Sequence, residues 1–538
     1  MQTNTKEERP NVLGKSHDQV ANSRATILTM PVLNEVAVSR VILALALATG
    51  AFLRIWQINA MGYNTDEAVY AGQAGAIAGV PGLKDVFPIF RAHPLLFQFV
   101  LSLIYKIQFS DLAGRLVAAA IGIATIYVTY LLGKMLYGRL PGALAAMFLA
   151  LMPYHVVVSR QVLLDGPMVF FATLTVYMLA RLGKTHQIGW LFAAGATLGL
   201  AFLSKETSII LLGAVFIFLA LSPEVRVRIR DLIVATLLMA MAVAPFPIAL
   251  IVAGGTTTGG NYLAWQLFRR SNHPWPFYLQ TVTPAVGYLV ITTAILGLIL
   301  LWKEHSWREK LLLAWIFVPI IFFEIWPVKG FQYLLPIAPP LALLAGRLLG
   351  KLATKAQSFQ IPRTLNKFSI HPIFSWLLVG VTVFSLGSAS WAQIQPEISS
   401  VFLAGTGGVP GGREAGTWVQ KNVPESAHFM TIGPSMANII QFYGERKAYG
   451  LSISPNPLHR NPSYEPILNP DRQIRVADLQ YLVWDSFSAA RSPFFSDKLL
   501  GYIKKYNGRA IHTESITVQD AQGNRISQPV IIIYEVHP

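Results

Sequence analysis

Residues 41–58 read VILALALATGAFLRIWQI, and a short polar stretch later the chain reaches Asn64-Thr65-Asp66-Glu67. The apolar run is long enough to cross the roughly 30 Å hydrocarbon layer of a bilayer as a helix. Ionisable groups at such a boundary are costly to keep, which makes the carboxylate pair a functional-site candidate. It reads as the acid/base corner of a site on the side of the membrane opposite the cationic N-terminus.

The rest of the chain fits that start. With 538 residues, 53% hydrophobic and 13% charged, it is too apolar for a soluble protein of this size and reads as polytopic. The net charge of +16 falls in clusters between apolar runs, the pattern of membrane orientation rather than of a nucleic-acid partner. The absence of cysteine excludes disulfides, thiolate metal sites and cysteine nucleophiles. Residues 1–40 read as a disordered cytoplasmic leader, followed by an uncleaved signal anchor.

Apolar runs near 41–58, 113–133, 141–158, 166–181, 189–204, 207–221, 231–253, 281–302, 311–327, 331–349 and 373–392 make about eleven spans. Cationic loops alternate with them: Lys134 and Arg139; Arg181 and Lys184; Arg226, Arg228 and Arg230; Lys303, Arg308 and Lys310; Arg347, Lys351, Lys355, Arg363 and Lys367. With the N-terminus cytoplasmic, every dense cluster falls on the cytoplasmic side. Counting Pro94 to Phe109 as a further span would invert the later loops, so it is expected as an amphipathic or re-entrant helix in a large first external loop, residues 59–112. The transmembrane domain then covers 41–395, in the plasma (inner) membrane. After a Gly/Pro-rich linker, Gly405 to Gly412, hydropathy drops. Strands at His428 to Gly433 and Val530 to Glu535, with helices at Glu414 to Lys421 and Ser435 to Tyr443, predict a soluble extracytoplasmic α/β domain over 396–538.

On this topology the polar residues beside apolar segments share the external face: Asp66, Glu67, Arg91, His93, Arg115, Arg160, Asp165, Lys205, Glu206, Arg269, Arg270, His273, Lys329 and Gln332. Asp66 and Asp165 can deprotonate a nucleophile or bind a cation. Arg115, Lys205, Arg269 and Lys329 can hold a phosphate and offset the charge that develops as it leaves. Together they imply group transfer from a lipid-linked phosphate donor. Simpler readings stand beside this one. Asp66 can serve the helix start at Asn64-Thr65-Asp66-Glu67, Arg115 can anchor a span end, Lys205-Glu206 can be a local ion pair, His273 can be an ordinary loop residue, and Arg269-Arg270 can meet anionic lipid.

Several of these residues stand in a known order. The stretches Asn64-Thr65-Asp66-Glu67-Ala68-Val69-Tyr70-Ala71, Ala92-His93-Pro94-Leu95-Leu96, Gly114-Arg115-Leu116 and Ser159-Arg160-Gln161-Val162-Leu163-Leu164-Asp165-Gly166-Pro167 resemble the dolichyl-phosphate-mannose protein mannosyltransferase and lipid A aminoarabinose transferase family. Phe202-Leu203-Ser204-Lys205-Glu206-Thr207, His273-Pro274-Trp275-Pro276-Phe277 and Lys329-Gly330-Phe331-Gln332-Tyr333 continue the resemblance over roughly residues 40 to 350. It implies a GT-C fold, mainly α, and an inverting transfer of a monosaccharide from a polyprenyl phosphate (undecaprenyl or dolichyl) to an extracytoplasmic lipid, glycan or protein acceptor. By position it implies Asp66 as catalytic base with Glu67 as its partner, Asp165 as the second acid, Arg115 and Lys205 at the donor phosphate, and His93, Arg160, His273 and Tyr333 among the cavity's polar groups. The aminoarabinose branch carries Glu-Lys-Pro where Ala92-His93-Pro94 stands, so a metal site built on that glutamate is not supported. No cofactor is assigned; the Asp66/Asp165 pair can hold a divalent cation or share an acceptor proton. Rival readings are a lipid-phosphate transporter or flippase, and a C-terminal binding module on a passive membrane base.

Overall fold

The computed structural model describes residues 35–89, 93–252, 262, 265–266, 268–354, 357–360, 367–396, 409–461, 463–519 and 524–538. The leader up to residue 34, Arg91, and the first half of the Gly405 to Gly412 linker lie outside the described residues.

The helices in chain order are α1 Glu35–Ile55, α2 Thr65–Ala78, α3 Leu83–Val86, α4 Leu96–Tyr105, α5 Asp111–Tyr137, α6 Arg139–Leu151, α7 Pro153–Val158, α8 Asp165–Thr185 and α9 Gly189–Ser204. They continue as α10 Leu211–Leu221, α11 Ile229–Val243, α12 Pro245–Val252, α13 Phe277–Val286, α14 Tyr288–Leu300, α15 Trp307–Ile325, α16 Ala338–Thr354 and α17 Pro372–Ile394. Each of the eleven apolar runs is therefore helical, and the chain is an integral membrane protein.

The span count is less than eleven by length. Among the described residues five helices are long and apolar enough to cross alone, or seven if the bent pairs α11/α12 and α13/α14 are each one span. The short helices α6, α9 and α10 have 13, 16 and 11 residues, and at 1.5 Å per residue reach only about 16–24 Å. Helix α6 is buried along almost its whole length between α1, α5 and α16. Small residues permit this: a Cβ on Gly142 would stand 2.5 Å from the Lys134 backbone nitrogen, so glycine is what lets the two helices touch.

Helix α4 has ten residues, about 15 Å, and does not cross. Phe97, Gln98, Leu101, Ser102 and Tyr105 are buried, with α2 as the helix's main packing partner; Phe99, Leu103 and Ile107 point outward.

Toward the C-terminus, β1 Gln357–Gln360 pairs antiparallel with β2 Lys367–Ile370. Five further strands, β3 His428–Thr431, β4 Lys447–Gly450, β5 Tyr481–Asp485, β6 Arg509–Gln519 and β7 Arg525–Glu535, form a mixed sheet in the order β4-β3-β5-β7-β6. The parallel β3/β4 pair requires a crossover, which α19 Pro434–Tyr443 supplies; α18 Gly412–Asn422 precedes it. One apolar core joins this unit to the loop after α1. Tyr63, Leu83, Phe87, Phe97 and Tyr105 share it with Phe429, Met436, Ile439, Ile440 and Phe442. Tyr443 Oη and Arg413 both bind Asp111 Oδ2, at 2.5 and 3.0 Å, and Asn438 Nδ2 donates to Thr65 Oγ1 at 2.9 Å.

Candidate active site

Asn64 and Glu67 close a capping box at the start of α2. Asn64 Oδ1 accepts from the Asp66 and Glu67 amides at 2.9 and 3.0 Å, and the Glu67 carboxylate accepts from the Asn64 amide at 3.1 Å. Satisfying these orphan donors fixes the helix start and sends the two adjacent carboxylates in different directions.

Glu67 turns inward and is fully buried. It takes a two-pronged ion pair from Arg115, with Nε–Oε1 at 2.8 Å and Nη2–Oε2 at 2.7 Å, and also accepts the Val162 amide at 3.0 Å. The remaining Arg115 hydrogens go to the carbonyls of Ile58, Met61 and Gly62 at 2.6–2.9 Å. A guanidinium has five N–H donors, and all five end on protein. Arg115, expected at the donor phosphate, instead braces the α1–α2 loop, and Glu67 is its counter-ion rather than a partner of Asp66.

Asp66 faces the other way. Its carboxylate makes no hydrogen bond among the described residues. It lies within electrostatic reach of Lys205, His93 and Asp165, and burial pushes its pKa up against the pull of Lys205. Asp165 and Lys205 meet because α8 and α9 form an antiparallel hairpin, so the first residue of one helix lies beside the residue that ends the other. Lys205 Nζ bridges both Asp165 oxygens at 2.8 Å and stands 5.0 Å from the centre of the Tyr333 ring.

Glu206 follows at once but forms no ion pair with Lys205 among the described residues. It faces His93 Nδ1 at 2.9 Å and accepts from Tyr262 Oη at 3.0 Å. His93 is edge-on to both Tyr70 and Tyr262. Arg269 stacks over Trp265 at 4.3 Å, and its charge reaches Tyr333. One polar cluster thus collects Asp66, His93, Asp165, Lys205 and Tyr333, with Arg269 at its edge. Glu206, Tyr70 and Tyr262 complete it. Glu206 stands in the external polar set read from the sequence and Tyr70 in the Asn64–Ala71 motif, whereas Tyr262 has no signal there.

Besides Arg115 and Glu67, three further expected members lie elsewhere. Arg160 donates to the Leu53 and Trp56 carbonyls at the end of α1, at 2.6 and 2.8 Å. Lys329 pairs with Glu324 at 3.0 Å and lies near the rings of Trp275 and Tyr278. His273 is exposed and stacked on Phe277 at 4.0 Å. Among the described residues no group of three or more acidic or imidazole side chains is arranged to hold a metal ion.

Comparison with known proteins agrees with this architecture. Residues 92–251 match the family described as dolichyl-phosphate-mannose-protein mannosyltransferase. An undecaprenyl phosphate-alpha-4-amino-4-deoxy-L-arabinose arabinosyl transferase of Serratia proteamaculans is 28% identical over 194 residues, 34% of this chain; the match spans only 35% of that relative. Among solved structures, ArnT of Cupriavidus metallidurans in the apo state superposes with a TM-score of 0.63 at 13% identity, covering 93% of this chain and 98% of that one. The same protein bound to undecaprenyl phosphate gives 0.57 at 14% identity, covering 93% and 97%. The oligosaccharyltransferase of Archaeoglobus fulgidus gives 0.58 at 14% identity, covering 91% and 74%. The matched segment makes part of the chain similar to that family, and the superpositions over more than nine-tenths of the chain show that it has the GT-C fold of those solved structures.

Proposed function

We propose that the chain transfers a monosaccharide from a polyprenyl-phosphate donor to an acceptor hydroxyl or amine at the extracytoplasmic boundary of the plasma membrane. The observation that carries this is the Asp66 carboxylate, free of hydrogen bonds among the described residues, beside an Asp165 already neutralised by Lys205. Two carboxylates in unlike surroundings suit unlike roles.

Asp66 takes the proton from the acceptor as its oxygen or nitrogen attacks the anomeric carbon from the face opposite the phosphate. The sugar–phosphate bond breaks and configuration inverts. The departing polyprenyl phosphate gains charge, which the Lys205 ammonium, Arg269 and the Tyr333 hydroxyl offset. His93, held by Glu206, adds a cation when protonated. Arg115 takes no part in this step. Asp165, bound through both oxygens to Lys205, positions the lysine. The acceptor is a lipid, a glycan or a protein. That ArnT is known bound to undecaprenyl phosphate on the same fold supports a polyprenyl donor.

Asp66→Asn preserves size and the helix start. It is expected to abolish release of polyprenyl phosphate from a labelled donor while leaving donor binding and thermal melting near wild type. Turnover at the wild-type rate would remove Asp66 as the base.

A further inference from the structure

A polar cavity of about 280 Å³, apart from the Asp66 cluster, lies between α3 of the first external loop and the α19/β4 edge of the sheet domain. Pro434, Ala437, Asn438 and Gln441 line it, and at 3.6 residues per turn they share one face of α19. Asn438 crosses from that face to the loop. It is 2% exposed and donates through Nδ2 to Thr65 Oγ1 at 2.9 Å. Thr65 adjoins Asp66, so the cavity begins one residue from the proposed base.

Its wall has two characters. Val86, Pro88, Pro434 and Ile453 offer apolar surface. Between them the hydrogen-bonding groups are rich in acceptors. Asn438 Oδ1 takes no hydrogen bond from the described residues, and Gln441 is anchored through Nε2 to the Ala448 carbonyl at 3.0 Å. Lys447 and Glu465 pair with each other at 3.2 Å, so their charges cancel. Asp85 is exposed and has no ion pair among the described residues; its charge alone is left uncompensated.

These features select the ligand. Spare acceptors call for a ligand with several donors, an apolar wall with a few placed polar groups suits a ring with a C–H face, and an uncompensated carboxylate repels an anion. A pyranose with unmodified hydroxyls meets all three conditions. We propose that this cavity holds an uncharged hexose of a glycan acceptor, a ring further along the chain than the one whose hydroxyl Asp66 deprotonates. Asp85 and Asn438 Oδ1 accept from its hydroxyls, and Pro88 and Pro434 pack against its C–H face. The inference rests on the transfer reading above and narrows the acceptor to a glycan. One wall of the cavity belongs to α3 and the other to α19, which makes the sheet domain the part that selects the acceptor.

The test uses the full chain in lauryldimethylamine oxide, a detergent with no sugar headgroup, titrated with cellobiose, mannobiose, galactobiose or digalacturonic acid and read by saturation-transfer NMR. At least one neutral disaccharide is expected to bind with a Kd of roughly 1 mM or tighter, and the acid at least about tenfold more weakly. Ser463 lines the cavity from a loop, so Ser463→Trp fills it and is expected to remove the binding. Asp85→Ala, at an exposed position and therefore compatible with folding, is expected to weaken the neutral sugar and narrow the gap to the acid. Equal binding of the acid, or unchanged binding in either variant, overturns the proposal. Asp66→Asn is expected to bind the sugar as wild type does, which separates this site from the transfer step. A chain that releases polyprenyl phosphate but binds none of the neutral disaccharides loses the glycan cavity and keeps the transferase reading; one that binds them but releases none keeps the cavity and loses that reading.

Discussion

Neighbouring residues of one type reach different ends here. Asp66 and Glu67 are adjacent carboxylates, but the capping box leaves one open to the polar cluster and seals the other against Arg115. Arg115→Met would strand Glu67 as a buried charge, and breaking such a pair costs about 3–5 kcal/mol. The expected result is a large loss of thermal stability with donor affinity per folded molecule unchanged; a normal melt with weakened donor binding would return Arg115 to the phosphate. Asp66 also sets a pH dependence. As the base it must be ionised, and burial raises its pKa above that of an ordinary aspartate, near 3.9. Activity is therefore expected to fall with decreasing pH at a higher pH than an unperturbed aspartate would give. Lys205 is the main group holding that value down, so the acid limb of kcat/KM in Lys205→Met should move to higher pH. An unmoved limb would mean that Asp66 is not the titrating base.

Between elements, the α8–α9 hairpin does what no residue does alone. It joins Asp165 to Lys205 across 40 positions of sequence, while the turn after Lys205 sends Glu206 to His93. An element end in the sheet domain behaves comparably. Asp485 ends β5 and caps the following helix through the Ser488 amide at 2.7 Å, but its other oxygen is buried without a partner. Burial raises its carboxyl to about 6 from 3.8. The folded domain then binds this proton more tightly than the unfolded chain. The stabilisation from protonation is full below pH 3.8 and is lost as pH rises through about 6, an effect of about 3 kcal/mol. Melting measured between pH 4 and 7 should show that slope, and Asp485→Asn should flatten it.

In the whole molecule, the sheet domain shares one core with the loop between α1 and α5, the loop that carries Asp66 and His93. Deleting residues 396–538 should uncover Tyr63, Phe87 and Phe97 and abolish transfer. Tyr443→Phe with Arg413→Met should raise amide hydrogen exchange in α2 and α19 together, whereas independent units would respond only in α19. The sequence by itself determined the membrane class, the helical positions, the α/β character of the C-terminal part and the candidacy of Asp66, Asp165 and Lys205, because apolar runs, turn residues and isolated charges are local signals. Tertiary structure alone decided that α6 is buried among α1, α5 and α16, that Arg115 answers Glu67, that Arg160 and Lys329 stand apart, that Glu206 turns to His93, and that Tyr262 joins the site. Those outcomes depend on which helix ends meet and on which charge finds its counter-ion first, and neither is written in spacing along the chain.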